Sequence, residues 1–163
     1  MSKLKVQLDA IATQLGSWDG LKNAAQFVQS AARLKCPVLD GALRSSIYID
    51  YYNEHGAATA EIYTTMQYAP YVEFGTGPKG AANHAGISPE VTPTYRMDAW
   101  WIHEDDLPPS AKATYNWFVI DTPNGRFYRS SGQAAQPFLY PALKDNEDVV
   151  MDILKDKYKE AFK

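Results

Sequence analysis

Cysteine is nearly absent. The 163 residues hold one, Cys36, so no disulfide can form within the chain and nothing points to an oxidising compartment. Long apolar runs are missing too: no stretch approaches the roughly 18 residues that span a membrane. The N-terminal MSKLKVQLDAIATQL is interrupted by Gln7 and Asp9 and has neither a signal-peptide core nor a cleavage site. No internal repeat and no low-complexity block occurs, and no serine stands in a strand–turn–helix elbow, which leaves out the hydrolase signature. These absences describe a chain kept in a reducing cytoplasm.

The remaining composition is that of one ordinary domain. Hydrophobic residues make up 45% and charged residues 21%, and a chain of this length can bury a core without disulfides or metal. Aromatics reach 13%, with 11 tyrosines, a residue favoured where a surface must be apolar and polar at once. The net charge of −3 is uneven: residues 1–44 carry +3, residues 45–110 carry −7 and residues 111–163 carry +1. The acidic middle repels a polyanion, which argues against a nucleic-acid binder.

Hydrophobic spacing predicts helix over the first 35 residues. Leu4, Leu8, Ile11, Leu15 and Trp18 recur at four and three, and Leu21, Ala25, Val28 and Ala32 continue the stripe. Gly16 and Gly20 weaken it, so a break is expected near Ser17, and Pro37 ends it. Ile47, Ile49 and Tyr51 then alternate with Tyr48, Asp50 and Tyr52. A turn at 53–56 leads to a second alternation of Ala60, Ile62, Thr64 and Met66, which predicts a hairpin. Pro70 to Phe74 read as one helical turn or slightly more, closed by Gly75, with a continued edge strand as the competing reading. Residues 75–95 read as a long, mobile loop. Strands are expected at Ala99–His103, Tyr115–Asp121 and Arg126–Arg129, the last two joined by the hairpin signal Asn124-Gly125, with an acidic loop over Glu104–Ser110. A final helix starts near Leu139 or Asp145, with Val150, Leu154, Tyr158 and Phe162 in line and Ile153 beside them. The expected fold is α+β: a single domain over 1–163, with N- and C-terminal helices packed on antiparallel hairpins that form a small curved sheet.

Few residues suggest chemistry. GTGPKG (Gly75–Gly80) spells the dinucleotide-binding glycine pattern, but Pro78 interrupts it and a poor helix follows, so the glycines read as turn geometry. His103, Glu104, Asp105 and Asp106 form the richest polar run, yet adjacent extended positions point apart, which suits a solvated acidic loop better than a metal site. His55 and His84 read as surface histidines without local partners. Cys36 reads as a buried, inert thiol. The aromatic clusters read as core plus a protein-facing surface, with a sugar-stacking face as the rival. No catalytic, cofactor or metal residue is assigned. A small metal-dependent enzyme using the His103–Asp106 run is the alternative from another class.

Three strings, PVLDGALRSSI (Pro37–Ile47), YAPYVEFGTG (Tyr68–Gly77) and QPFLYPAL (Gln136–Leu143), occur in an order that resembles the tail-completion, or head–tail joining, proteins of long-tailed bacteriophages. This is the gene-product-ten-like family of a Hong Kong phage. The similarity spans roughly residues 20–145, while WWIHEDD and the WFVIDTPNGRFYR hairpin are longer than in short family members. The resemblance implies a virion structural protein at the neck, present in the host cytoplasm during assembly. It would contact other connector and tail proteins and join a ring, sixfold to match the tail, with little stable ring in isolation. It would have no cofactor, no sequence-specific nucleic acid and no membrane partner. Tail terminator is the alternative within the class. The motif and interface residues it implies are Arg44, Tyr68, Pro70, Tyr71, Glu73, Phe74, Gly75, Gly77, Pro137, Phe138 and Pro141. Among them, Pro70 and Gly75 bound the turn and Tyr71 and Phe74 pack it down. Glu73 accepts hydrogen bonds from backbone or from an arginine such as Arg44. Pro137, Phe138, Leu139 and Pro141 wedge the last helix against the turn.

Overall fold

The structure, a computed structural model, describes residues 4–9, 18–54 and 57–161, without the side chains of residues 6–9, 157, 158, 160 and 161. Helix α1 (Trp18–Lys35) buries Leu21, Ala25, Val28 and Ala32, the stripe that the spacing marks out, while Trp18 at its start is exposed. Its C-terminal turn closes with the Cys36 amide on the Ala32 carbonyl, one residue before Pro37. A short helix α2 (Ala42–Ser45) follows the left-handed Gly41. Strands β2 (Ile47–Glu54) and β3 (Ala57–Thr64) form the expected hairpin, Glu54 opposite Ala57. His55 and Gly56, the tip of the expected turn, lie outside the described residues.

One expectation fails at the N-terminus. Leu4–Asp9 form strand β1 and pair antiparallel with β3, from Leu4 opposite Thr64 to Asp9 opposite Thr59, giving the order β1-β3-β2. Leu4 and Leu8 fit a helical spacing of four, but with Val6 between them they fit period two equally well, and β3 has an open edge whose backbone groups need partners. Ile11, Leu15, Gly16 and the break near Ser17 lie outside the described residues.

Helix α3 (Ala69–Phe74) takes Pro70 in its first turn and stops at Gly75. The expected loop at 75–95 begins instead with a helix, α4 (Gly77–Ala82), because Pro78 suits a first helical turn. Residues 83–99 form neither helix nor strand. Strand β4 (Trp100–His103) leads through a 3-10 turn at Glu104–Asp106 to helix α5 (Pro109–Thr114). Strands β5 (Phe118–Thr122) and β6 (Gly125–Ser130) form the Asn124-Gly125 hairpin, and the second sheet has the order β4-β6-β5. Helices α6 (Tyr140–Lys144) and α7 (Glu147–Ala161) close the chain, with Val150 buried and Ile153 and Leu154 half-buried. The Tyr158 side chain and Phe162 lie outside the described residues. The architecture is α+β, with α1 and α7 packed on small antiparallel sheets.

The core belongs to one side of the molecule. Leu21, Val28, Ile47, Ile62, Phe138 and Leu139 pack together between α1, the first sheet and α6–α7. Gln29 and Arg33 of α1 both donate to the Ile47 carbonyl at 2.8 Å, and the Ser46 and Thr64 hydroxyls meet at 2.6 Å, so helix and sheet share polar as well as apolar contacts. In the β4–α5–β6 region only Ala111 and Tyr128 are buried apolar residues.

Candidate functional site

A buried carboxylate joins two distant parts of the chain. Glu73, in the last turn of α3, is 1% exposed. One oxygen accepts the amides of Phe138 and Leu139 at 2.7 and 3.0 Å, and the other accepts that of Tyr140 at 2.9 Å. These amides stand at the start of α6, where a helix has donors but no internal acceptors. Their flanking residues Pro137 and Pro141 have no amide to offer. The carboxylate therefore caps a helix from 65 residues away and is itself satisfied, as a buried charge must be. Glu73 takes its bonds from backbone. Arg44 donates instead to the Cys36 carbonyl at 3.2 Å.

Beside this latch runs a seam. Thr76 and Gln133 exchange backbone hydrogen bonds at 2.9 and 3.1 Å, Lys79 donates to Ser131, Ala135 to Asn83 and Gln136 to Val72. Gln133 also donates its side-chain amide to the Tyr71 carbonyl at 2.8 Å, and the Tyr95 hydroxyl bonds the Phe74 carbonyl at 2.8 Å. The chains approach so closely that a Cβ on Gly75 would stand 2.7 Å from the Ala135 nitrogen, and one on Gly132 would overlap the Thr76 carbonyl. Both glycines also have positive φ, 76° and 82°. The GTGPKG run is thus filled by the chain's own 131–135 segment, the turn-geometry reading of its glycines.

The seam floors an open groove of about 1120 Å³ between the 37–43 and α3 segments on one side and the second sheet with α5 on the other, lined among others by Leu39, Tyr68, Tyr71, Tyr95, Trp100 and Trp117. Tyr68 and Tyr71 are 42% and 59% exposed there. Tyr71 does not pack the turn down, as the strings suggested. Ala69 and Val72 do that, because in a one-turn helix whose Glu73 reaches the start of α6 they are the residues turned toward the core. Pro70 opens α3, Phe74 is half-buried in the groove wall, Gly77 opens α4 in a buried position, and Phe138 and Leu139 are buried with Pro137 and Pro141 half-buried around them.

The polar run does not converge on a metal. His103 Nε2 faces the Asn124 carbonyl at 3.0 Å, and Nδ1 lies 3.3 Å from both the Asp105 amide and its carboxylate, so both ring nitrogens are taken up locally. Glu104 accepts the Arg126 amide at 3.0 Å. Among the described residues no group of three or more His, Cys, Asp or Glu could hold a metal ion. His84 is exposed but not without a partner: Nδ1 meets the Gly80 carbonyl at 3.1 Å and the ring stacks on Tyr95. His55 lies outside the described residues. Burial pushes the Cys36 thiol above its ordinary value, against a lowering by Arg44, which keeps it unreactive.

Residues 3–75 match a family model described as "Bacteriophage HK97-gp10, putative tail-component". No curated protein and no solved structure matches the chain. Over these residues, a little under half of the chain, the sequence is similar to that phage tail-component family. The match takes in the first sheet, α1 and α3 with Glu73. The QPFLYPAL string and the second sheet lie beyond it. No helix among the described residues is long and apolar enough to cross a membrane.

Proposed function

We propose that this protein is a structural joining component of the neck of a long-tailed phage or prophage, where it completes the tail and connects it to the DNA-filled head by assembly with other virion proteins rather than by catalysis. The tail-component match over residues 3–75 carries the reading. The distribution of surface chemistry supports it: the exposed Tyr68, Tyr71, Trp101, Tyr115 and Phe118 border the groove or stand in the second sheet, and exposed aromatics are enriched at contact surfaces. The acidic middle of the chain suits a ring lumen through which DNA must pass without adhering. The ring is sixfold to match the tail, and residues 75–95 order further on docking.

The test is genetic. Particles made without this protein contain filled heads and separate tails, and supplying it restores joining. Normal joined particles would end the proposal. Tails of uncontrolled length would assign the protein to tail termination instead.

A further inference from the structure

Strand β5 is an edge of the second sheet, and among the described residues no strand covers it. Phe118, Val119, Ile120 and Asp121 are all exposed. The register fixes which backbone groups this edge leaves open. Arg126 donates its amide to Glu104 at 3.0 Å, on the β4 side of β6. The Gly125 carbonyl accepts the Thr122 hydroxyl at 2.8 Å, on the β5 side. Backbone groups alternate along a strand, so Phe127 and Arg129 turn theirs to their partners Ile120 and Phe118. The amides and carbonyls of Val119 and Asp121 therefore point away from the sheet.

Open edges are ordinarily guarded by charge, by proline or by a covering segment. The β2 edge carries such a guard at Ile47, whose carbonyl takes Gln29 and Arg33 of α1. Strand β5 contains no proline, lysine or arginine, and its one acid, Asp121, is engaged by Arg126 at 2.7 Å. Exposed apolar side chains stand on both of its faces, Phe118 and Ile120 on one and Val119 on the other. An edge of this kind is a template for another strand.

We propose that β5 of one copy pairs antiparallel with β5 of a second copy about a twofold axis at Ile120. In that register Val119 of each copy opposes Asp121 of the other, and the two pairs exchange four backbone hydrogen bonds. Ile120 meets Ile120, and no like charges stand directly opposite. A shift of two residues one way sets Asp121 against its own copy and Val119 against Pro123, which has no amide. The same shift the other way sets Asp121 against Trp117, which lies outside the strand. A shift of one residue turns open groups toward closed ones. The edge thus accepts its own copy in a single register, and two three-stranded sheets become one of six. Five residues per copy bury less than the roughly 800 Å² per partner of a stable pair, so the pairing is weak and reversible. A twofold contact closes on two copies and does not repeat into a ring. The pair is a state of the free chain, and the inference goes beyond the neck reading without resting on it.

Sedimentation of the purified full chain over a concentration series measures the pairing, and a monomer–dimer equilibrium is expected. Ile120→Lys sets two lysines opposite each other and raises the dissociation constant about tenfold. Ile120→Glu does the same with two carboxylates. Mixing the two variants restores association, which also shows that each is folded. Disulfide trapping under mild oxidation reads the register, since Cys36 is buried. Ile120→Cys links the copies, because Cα atoms facing across a non-hydrogen-bonded pair stand about 4.5 Å apart. Phe118→Cys does not, since its two positions lie about 14 Å apart along the strands. A chain that stays monomeric up to about 1 mM would overturn the pairing. So would a dimer unmoved by Ile120→Lys, or one that Phe118→Cys links as readily as Ile120→Cys. None of these results bears on particles made without the protein, so the neck reading stands or falls separately.

Discussion

The two sheets share a topology and differ in what covers them. Each has three antiparallel strands in which the last to appear in sequence lies between the other two. The first is backed by the 18 residues of α1 and contributes Ile47, Ala60 and Ile62 to a continuous core. The second is backed by the six residues of α5, anchored where Trp117 donates to the Ala111 carbonyl at 3.1 Å and packs edge-on against Tyr128 at 5.8 Å. Its strand β5 is exposed on both faces, with Val119 and Ile120 each 37% exposed. Apolar side chains in the first sheet hold the fold. Equivalent ones in the second stand exposed, so the same substitution should read very differently in each.

The strongest way to break this comparison is at Phe138, which is fully buried at the junction of α3, α6 and the core. Phe138→Ala is expected to cost about 3–5 kcal/mol, a large share of the roughly 5–15 kcal/mol that holds a domain together. Urea unfolding followed by far-UV circular dichroism measures it. A loss under about 1 kcal/mol would mean that the core does not close there.

Next comes the latch. Glu73→Gln keeps the shape but offers one carbonyl oxygen where two carboxylate oxygens met three amides. Its new NH₂ then points at backbone donors in a buried place. A cost of about 2–4 kcal/mol is expected from weakened charged hydrogen bonds and stranded amides. At roughly 2–4 °C per kcal/mol for a chain of this size, a thermal melt resolves it easily. An unchanged melt, with virion assembly also unchanged, would remove the latch from the account.

Glu73 also shows how far the sequence could be read. An acid among Tyr68, Tyr71 and Phe74 is conspicuous and calls for a partner, but the two classes of donor, backbone and arginine, look alike from sequence. Only the fold brings residues 138–140 to it. The α1 stripe and the Asn124-Gly125 hairpin were legible because each carries its signal locally. Strand β1 was not, since Leu4 and Leu8 satisfy both periods and the choice was made by an open edge 50 to 60 residues away, at Asp9 opposite Thr59 to Leu4 opposite Thr64. The groove and the exposed face of the second sheet were half legible. Alternation in WWIH separates Trp100 and Ile102 from Trp101 and His103, but nothing in it says which side the short, proline-started α5 will cover.

A third effect, smaller than the latch, concerns pH and again separates the regions. Burial pushes Tyr51, Tyr52, Tyr63 and Tyr68 above their ordinary 10.0 and Cys36 above 9.0, all in or beside the first sheet. Lys5 is also raised above 10.5, first by its bond to Glu61. Below the ordinary values these groups are protonated in both states and the stability is fully present. Above them the unfolded chain has released protons that the folded chain still holds, so stability falls as pH rises from about 9. Urea midpoints over this range measure the slope. Tyr52→Phe and Tyr63→Phe are expected to flatten it, and an unchanged slope in the double variant would place the alkaline sensitivity elsewhere.

The smallest effect is the sharpest comparison, because it repeats the first substitution. Phe118 is as large as Phe138 and as apolar, but it is 64% exposed, with its ring tilted 6.0 Å from that of Trp101. Phe118→Ala leaves no enclosed cavity and exposes no new core, so its cost should stay within about 0.5 kcal/mol, the range of ordinary surface changes. The same urea titration as for Phe138→Ala measures it, under the same conditions and with the same slope expected. If Phe118→Ala were to cost as much as Phe138→Ala, the second sheet would be held by its own aromatic face. That face would then no longer be free for another chain.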